Sequence, residues 1–407
     1  MNDRNVNALK EISEGELKNT QQVLIEKARA LLPLIRSNAE KTDRERRTAE
    51  ENIQAMQAAG LFKMMVPRRY GGQEVDFRTN MEVVSIVAEA CGGTSWVLNL
   101  ISVCAWFTAL FPAQAQDEVF GADNDARVAG VFMPSGTLKR VEGGIRVSGK
   151  WYYSSGCLHA NWGMLGLMEL DADGNPMDQY LGLAPMAELE IEDTWYTTGM
   201  RGSGSNCLVA KDVFIPEHRM LSLSKAIAGD YGTEFKEEAV YRSAFIPVAS
   251  LVIAVPQLGL ARAALKYVID KSQNRPISYT FVKKQADSVG FQLQVADAAM
   301  KIETAYLHAC RAADDIDNWA KSDHYMDYLT RARVKADSSE LARHVHDAME
   351  ILMTAHGAAS FAESSPMQRL WRDSSTASRH GAVLSALSNE CYGKALLGVA
   401  NDLTPLV

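Results

Sequence analysis

Apolar residues recur at helical spacing through the first part of the chain. Leu24, Ala28, Leu31 and Ile35 fall at offsets 0, 4, 7 and 11, which gathers them on one helix face. Ile53, Met56 and Ala59 extend the pattern up to Gly60, a residue suited to closing a helix. From about residue 126 the texture changes. Short β-rich runs (Val128 to Phe132, Ile145 to Tyr153, Tyr180 to Leu183, Val213 to Pro216) are separated by turn signals such as Glu142-Gly143-Gly144 and Asp173-Gly174-Asn175-Pro176. Long helix-forming segments return near residue 240, as in Leu260 to Gln273, Gln285 to Trp319 and Tyr325 to His356. The pattern predicts an α, β, α order: a helical domain over 1–125, a small β domain over 126–235 and a helical bundle over 236–407.

Composition narrows the class. At about 150 residues per domain, 407 residues allow two or three units, and 47% hydrophobic with 23% charged content supports a packed core. Forty-two basic against fifty acidic residues give a net charge of -8. There is no long basic stripe to neutralise phosphates, so nucleic acid is not an expected partner. The six cysteines (Cys91, Cys104, Cys157, Cys207, Cys310, Cys391) are scattered, with no C-x-x-C pair, which fits a reducing compartment. Met1 to Lys18 carries Asp3, Glu11, Glu14 and Glu16 and lacks an apolar signal core, so a cytoplasmic protein is expected. Val97 to Phe111 and Phe245 to Ala261 are the most apolar stretches, but polar residues and prolines interrupt both. They read as buried helices, with no membrane partner.

Most local motifs have plain readings. Gly202-Ser203-Gly204-Ser205 looks like a phosphate loop, yet it follows no βαβ strand and lacks the third glycine and downstream acid of a dinucleotide fingerprint. Asp171-Ala172-Asp173-Gly174-Asn175 reads as a hairpin turn, because the bidentate acid of a calcium loop is missing. His344 and His346 sit roughly 200° apart around a helix and cannot share a metal, so no metal is expected. No G-x-S-x-G elbow supports a hydrolase. The run Gly149 to Gly156 is more informative, since strand alternation puts Trp151, Tyr153 and Ser155 on one face. Two aromatics and a hydroxyl there suit either a flat ligand or the packed face of a β-barrel.

At this point the chain resembles the acyl-CoA dehydrogenase fold family. The resemblance is carried by Leu61 to Pro67 leading into Tyr70-Gly71-Gly72, by the 149–156 strand, by Thr198 to Ser205 with Asp212 to Pro216, and by Leu370-Trp371-Arg372-Asp373. It implies a mainly α fold with a middle β-barrel and a C-terminal four-helix bundle that builds a homotetramer. The dehydrogenases carry a Glu base shortly after the Arg-Asp pair. Here the stretch reads Arg372-Asp373-Ser374-Ser375-Thr376-Ala377-Ser378-Arg379-His380-Gly381, with a His and no Glu. That pattern, with W-x-Y-x-S-G, resembles the flavin-dependent monooxygenases on this fold, the oxygenase components of two-component aromatic and indole hydroxylases.

The resemblance implies reduced FMN or FAD from a partner flavin reductase, O2 as co-substrate, and a C4a-hydroperoxyflavin that hydroxylates or epoxidises a small aromatic or heteroaromatic ring. Sulfur or nitrogen oxygenation on the same scaffold is the nearest alternative, then an acyl-CoA dehydrogenase, then a flavin-free binding protein. By the same resemblance Ser155 holds the flavin N5 hydrogen, Tyr153 packs on the ring, and the backbone of Val131, Phe132 and Met133 pairs with the pyrimidine side. Arg275 matches an arginine that reaches a neighbouring subunit's flavin, and Ser374 and Ser375 are candidate phosphate contacts near a helix start. His380 is the candidate for stabilising the peroxide or relaying its proton, since imidazole titrates near neutral pH, with an interhelix histidine as the other reading. Arg379 lowers that pKa if the two side chains converge. Cys104 stands where phenol-hydroxylating relatives carry a His, which leaves indoles open beside phenols. Trp96 and Trp106 are candidates for the substrate pocket wall or for plain core.

Overall fold

The N-terminal periodicity becomes α1 (Glu14–Ser37), α2 (Ala39–Glu45), α3 (Glu50–Ala58), α4 (Phe77–Ala88), α5 (Gly92–Thr108) and the short α6 (Ala113–Gln116) in the computed structural model, which describes residues 14–123 and 125–407. Leu24, Ala28 and Ile35 of α1 are buried, and Gly60 takes the left-handed backbone, φ 79°, just beyond α3. The strands are β1 (Val128–Val141), β2 (Gly144–Trp151), β3 (Trp162–Leu170), β4 (Pro176–Pro185), β5 (Glu190–Glu192), β6 (Cys207–Pro216) and β7 (Met220–Ser222). Then follow α7 (Leu223–Ile227), α8 (Phe245–Ala254), α9 (Pro256–Ser272), α10 (Val289–Ala320), α11 (Tyr328–His356), α12 (Pro366–Ala377) and α13 (Ser385–Leu397).

The strands form one sheet in the order β5-β6-β2-β1-β3-β4-β7, antiparallel except for the β1/β3 pair. The expected barrel is not closed. Closure needs the two edge strands to share a ladder, and here the edges β5 and β7 are three residues long and each pairs on one side only. One face buries its own apolar cluster of Ile145, Val147, Trp151, Leu165, Leu167, Leu208 and Ile215. The β3–β4 turn is held by the Asp171 carboxylate, which accepts the N–H groups of Asp173 and Asn175 at 2.9 and 2.8 Å. Hence Asp171 is a turn residue, as its motif suggested.

A kink shapes the C-terminal part. Residues 245–272 run as one apolar helical stretch, 78% buried across its most apolar window, broken between α8 and α9 at Pro256. Proline has no N–H for the Val252 carbonyl four residues back, and Asn99 Nδ2 from α5 donates to that carbonyl instead. Beyond it α10 and α11 lie antiparallel, since His308 faces Asp337 at 2.7 Å, Arg333 faces Asp315 at 2.8 Å and Lys301 faces Asp347 at 3.8 Å. His344 stacks on His308 between these helices, ring centroids 5.8 Å apart. The six cysteines are free thiols.

Candidate active site

Helix α5 positions the site because it is buried almost all round. Its N-terminus is pinched. A Cβ on Gly92 would lie 2.8 Å from Asp373 Oδ2 on α12, and one on Gly93 would lie 2.8 Å from the Gly202 backbone. Only glycine permits both approaches. Asp373 also accepts the Met200 N–H at 2.6 Å, so the carboxylate packed against the α5 N-terminus holds the 199–205 loop. Burial pushes this carboxyl up to about 6, against the lowering effect of the Met200 N–H.

One turn along α5, Trp96 donates its indole N–H to Ser155 Oγ at 2.9 Å. Ser155 Oγ lies 2.7 Å from Ser205 Oγ, Ser205 Oγ lies 2.7 Å from Ser203 Oγ, and Ser203 Oγ donates to the Met200 carbonyl at 2.8 Å. These side chains are buried, with Ser155 only 6% exposed. Backbone bonds join the two segments, from the Ser154 N–H to the Asn206 carbonyl at 3.0 Å and from the Gly156 N–H to the Ser203 carbonyl at 3.2 Å.

His380 follows α12, its ring 6.4 Å from that of Trp96. Its side chain is exposed, and desolvation by the protein around it lowers the imidazole pKa. Its Nδ1 accepts the Ala382 N–H at 3.2 Å, so the neutral ring carries its hydrogen on Nε2. Arg379 does not converge on it. That guanidinium donates to the Ser375 carbonyl at 2.6 Å and to Ser378 Oγ at 3.1 Å.

The residues present fit a flavin. The β1/β3 ladder stops at Val131 and resumes at Gly136, and the β1/β2 ladder begins only at Gly136. The backbone of Phe132, Met133, Pro134 and Ser135 is therefore outside both ladders, as a strand edge that pairs with a ring must be. The Phe132 ring points the other way, edge-on to Phe107 at 4.6 Å, and its carbonyl accepts from Gln179 Nε2. Met133 and Tyr153 are exposed, Tyr153 by 73% with its edge against Trp195. Both stretches border α5, where a Cβ on Gly130 would lie 2.9 Å from Cys104 Sγ and one on Gly156 would lie 3.2 Å from Ile101.

Several sequence expectations change. Trp151, Tyr153 and Ser155 do not share a strand face, because β2 ends at Trp151 and Tyr153 adopts a left-handed backbone, φ 66°, that breaks the alternation. Trp151 is sheet core, donating its indole N–H to the Gly166 carbonyl at 2.7 Å. Trp106 lies in the aromatic core with Phe77, Phe107, Tyr231 and Phe245, and donates to the Val240 carbonyl at 2.8 Å. Cys104 is buried against β1, and desolvation pushes its thiol up to about 12. Ser374 and Ser375 lie in the last turn of α12, not at a helix start, so its dipole does not favour an anion there. Ser374 Oγ is buried without a partner. Arg275 is not brought to this cluster. Its Nη1 lies 2.9 and 3.0 Å from the two ring nitrogens of His356 and donates to whichever one is unprotonated, and burial with that positive neighbour lowers His356 to about 4.

Sequence reading missed Ser203, Ser205 and the tie made by Asp373. The Gly202 to Ser205 run was the available signal, but nothing local shows that it faces a segment fifty residues earlier.

Residues 18–120 match the model of the acyl-CoA dehydrogenase N-terminal domain and residues 251–384 that of the acyl-CoA dehydrogenase C-terminal domain. The chain is 32% identical over 372 residues to the flavin-dependent monooxygenase oxygenase subunit HsaA of Rhodococcus jostii (strain RHA1), covering 91% of this chain and 97% of that one. It is 29% identical over 384 residues to the oxygenase component of p-hydroxyphenylacetate 3-hydroxylase from Acinetobacter baumannii, covering 94% and 90%. The solved structure of XiaF from Streptomyces sp. in complex with FADH2 and glycerol has a TM-score of 0.90 and 34% identity, covering 96% and 98%. The chain therefore belongs to the oxygenase subunits of flavin-dependent monooxygenases built on the acyl-CoA dehydrogenase fold.

Proposed function

We propose that this oxygenase inserts one oxygen atom into a small aromatic or heteroaromatic ring such as an indole or a phenol, using reduced FMN or FAD that diffuses from a partner reductase. When bound, reduced flavin activates O2 and supplies the oxygen atom. The observation that carries the reading is the buried Trp96–Ser155 hydrogen bond with the His380 ring beside Trp96. Ser155 accepts the ring's N5 hydrogen, the backbone at Val131, Phe132 and Met133, where the β1/β3 ladder is interrupted, pairs with the pyrimidine edge, and Tyr153 covers the ring. Trp96 and the surrounding α5 side chains exclude water from it. Ser374, with its buried and unpartnered hydroxyl, contacts the flavin, with Ser375 beside it.

His380 would offer its Nε2–H as a hydrogen-bond donor to oxygen bound beside the flavin, because Nδ1 is occupied by the Ala382 N–H. Cys104 borders the substrate. A thiol at about 12 stays protonated and offers no base to ionise a phenol, so an electron-rich heteroaromatic, which needs none, suits this pocket.

The domains run over 1–125, 126–235 and 236–407, and the last is a four-helix bundle that forms a cytoplasmic homotetramer. In support, α10 carries Val289, Leu293, Met300 and Leu307 outward, each at least 64% exposed, on one face of a long helix. Arg275 then reaches the flavin of a neighbouring subunit from the loop before α10.

The experiment is rapid mixing of the anaerobic protein with reduced FMN or FAD against oxygenated buffer, with and without indole or phenol. A transient near-ultraviolet absorbance that precedes oxidised flavin, with product from one of the rings, supports the reading. Immediate reoxidation with either flavin and no product refutes it.

A further inference from the structure

We propose that Ser203 and Ser205 are positioning residues that commit the Ser155 proton away from the pocket, so that Ser155 meets its ligand only as a hydrogen-bond acceptor. The inference rests on the reading of Ser155 as the group that faces the flavin. It follows from counting protons, because each hydroxyl has one to give, an indole N–H only donates and a carbonyl only accepts.

The count starts at Met200. Its carbonyl has no proton, so the 2.8 Å contact with Ser203 Oγ uses the Ser203 proton. Ser203 must then accept across its 2.7 Å contact with Ser205, which uses the Ser205 proton. Ser205 in turn accepts across its 2.7 Å contact with Ser155, which uses the Ser155 proton. Trp96 fills one Ser155 lone pair at 2.9 Å. What remains on Ser155 is a single lone pair.

The anchor is firm. The Met200 carbonyl shares its two lone pairs among three donors, of which the Ser203 hydroxyl at 2.8 Å is nearer than the Trp195 indole N–H at 2.9 Å and the Ser203 backbone N–H at 3.0 Å, and Asp373 holds the Met200 N–H. Ser203 and Ser205 are each 2% exposed, so bulk water does not reverse the chain. Gly202 and Gly204 let the loop in: a Cβ on Gly202 would lie 2.2 Å from Thr42, and Gly204 has φ 54°. The Gly202 to Ser205 run, set aside as a phosphate loop, thus acquires a role as a proton-ordering loop.

An obligate acceptor at this point selects a ligand that presents an N–H. Reduced isoalloxazine presents N5–H, whereas the oxidised ring presents a bare lone pair at the same nitrogen. The serine chain therefore makes the site discriminate the oxidation state of its cofactor, two hydroxyls away from any contact with it.

The test is the ratio of dissociation constants for oxidised and reduced FAD, with FMN as a second probe. It is measured by flavin fluorescence for the oxidised form and by anaerobic titration for the reduced form, in the wild type, Ser155→Ala, Ser205→Ala and Ser203→Ala. Ser205→Ala frees the Ser155 proton to donate to oxidised N5, and the ratio is expected to fall about tenfold, the scale of one hydrogen bond. Ser203→Ala leaves Ser205 free to turn its proton to Ser155, and a fall of about threefold or more is expected. A role in packing alone weakens both forms equally and leaves the ratio unchanged. If Ser155→Ala shifts the ratio while both second-position variants keep the wild-type value, the proton-ordering proposal is wrong and the flavin-facing role of Ser155 stands. If Ser155→Ala itself leaves both constants unchanged, that role fails and the proposal with it. Should Ser205→Ala not fold, Ser203→Ala alone decides.

Discussion

Asn99 and Pro256 are expected to be coupled by about 1–3 kcal/mol, the cost of leaving a buried carbonyl without a donor. Val252 is 3% exposed, and in an unbroken helix its carbonyl would accept the N–H of residue 256. Pro256 has none, and Asn99 Nδ2 takes that place from α5. Asn99→Leu in the native background therefore orphans the Val252 carbonyl. In a Pro256→Ala background the same substitution does not, because an alanine there can supply its own N–H. Other consequences of Asn99→Leu, including loss of an Oδ1 already buried without a partner, occur in both backgrounds and cancel in the cycle.

The assay is urea unfolding of the four proteins by circular dichroism at fixed concentration. Asn99→Leu should cost more in the native background than in the Pro256→Ala background by the amount above. A coupling below about 0.5 kcal/mol, the usual error of additivity, would refute the assignment of Asn99 as the surrogate donor at the kink.

Other perturbations read other contacts. Gly93→Ala places a methyl 2.8 Å from the Gly202 backbone, and overpacking of this kind is expected to destabilise the fold by about 2–3 kcal/mol, seen as a lower melting temperature; an unchanged melt contradicts the pinch. Burial lowers the His380 pKa, so its contribution is present above the unfolded value of about 6.5 and is lost as pH falls through the lower folded value. Coupling of reduced flavin to product should fall on that acid side, and a His380→Gln variant that keeps the same acid limb would assign it to another group. For Asp373 the sign is opposite: with a folded value of about 6, its contribution is present below about 4 and lost as pH rises through about 6, roughly 3 kcal/mol in all. The difference in unfolding free energy between wild type and Asp373→Asn should track that window, and a flat difference would place the carboxyl in water. Trp106→Phe should cost about 1–3 kcal/mol through the Val240 hydrogen bond and the space left, with substrate preference unchanged; a changed product pattern would return Trp106 to the pocket wall.

Periodicity made the order of elements legible, because a face of Leu24, Ala28 and Ile35 or a run such as Val128 to Phe132 fixes type locally. Closure of the sheet was not legible. Whether β5 and β7 meet depends on twist and strand length across segments thirty residues apart, and no local pattern records it. The Trp151, Tyr153, Ser155 face failed for a different reason. One left-handed residue, Tyr153, shifts everything after it, and tyrosine carries no signal for that backbone as glycine does. Ser155 was a candidate through resemblance and Trp96 a candidate for pocket wall or core, but their hydrogen bond was not legible, and neither was the separation of Trp96 from Trp106. The two tryptophans stand ten residues apart on one helix, roughly 80° of rotation, and that angle sends one to Ser155 and the other into the aromatic core.

The role of α5 follows from the cost of its own polar side chains. A helix buried on every side must give such groups partners or leave them at a penalty. Ser95 donates to the Val84 carbonyl of α4 at 2.7 Å, Trp96 to Ser155, and Asn99 to the kink of α8 and α9. Each bond reaches a different part of the chain, so sliding α5 along any one neighbour breaks the bonds to the others. The lone pair left on Ser155 is thus set by contacts that span the helical and β segments together, before any ligand arrives. Such a site needs little reorganisation on binding, which is where electrostatic preorganisation has its effect on rate. It also explains why a His at position 380 in place of the dehydrogenase Glu need not disturb the fold: His380 lies after α12, beyond Asp373, and its hydrogen bonds are all local, to Ala377, Ala382 and Val383.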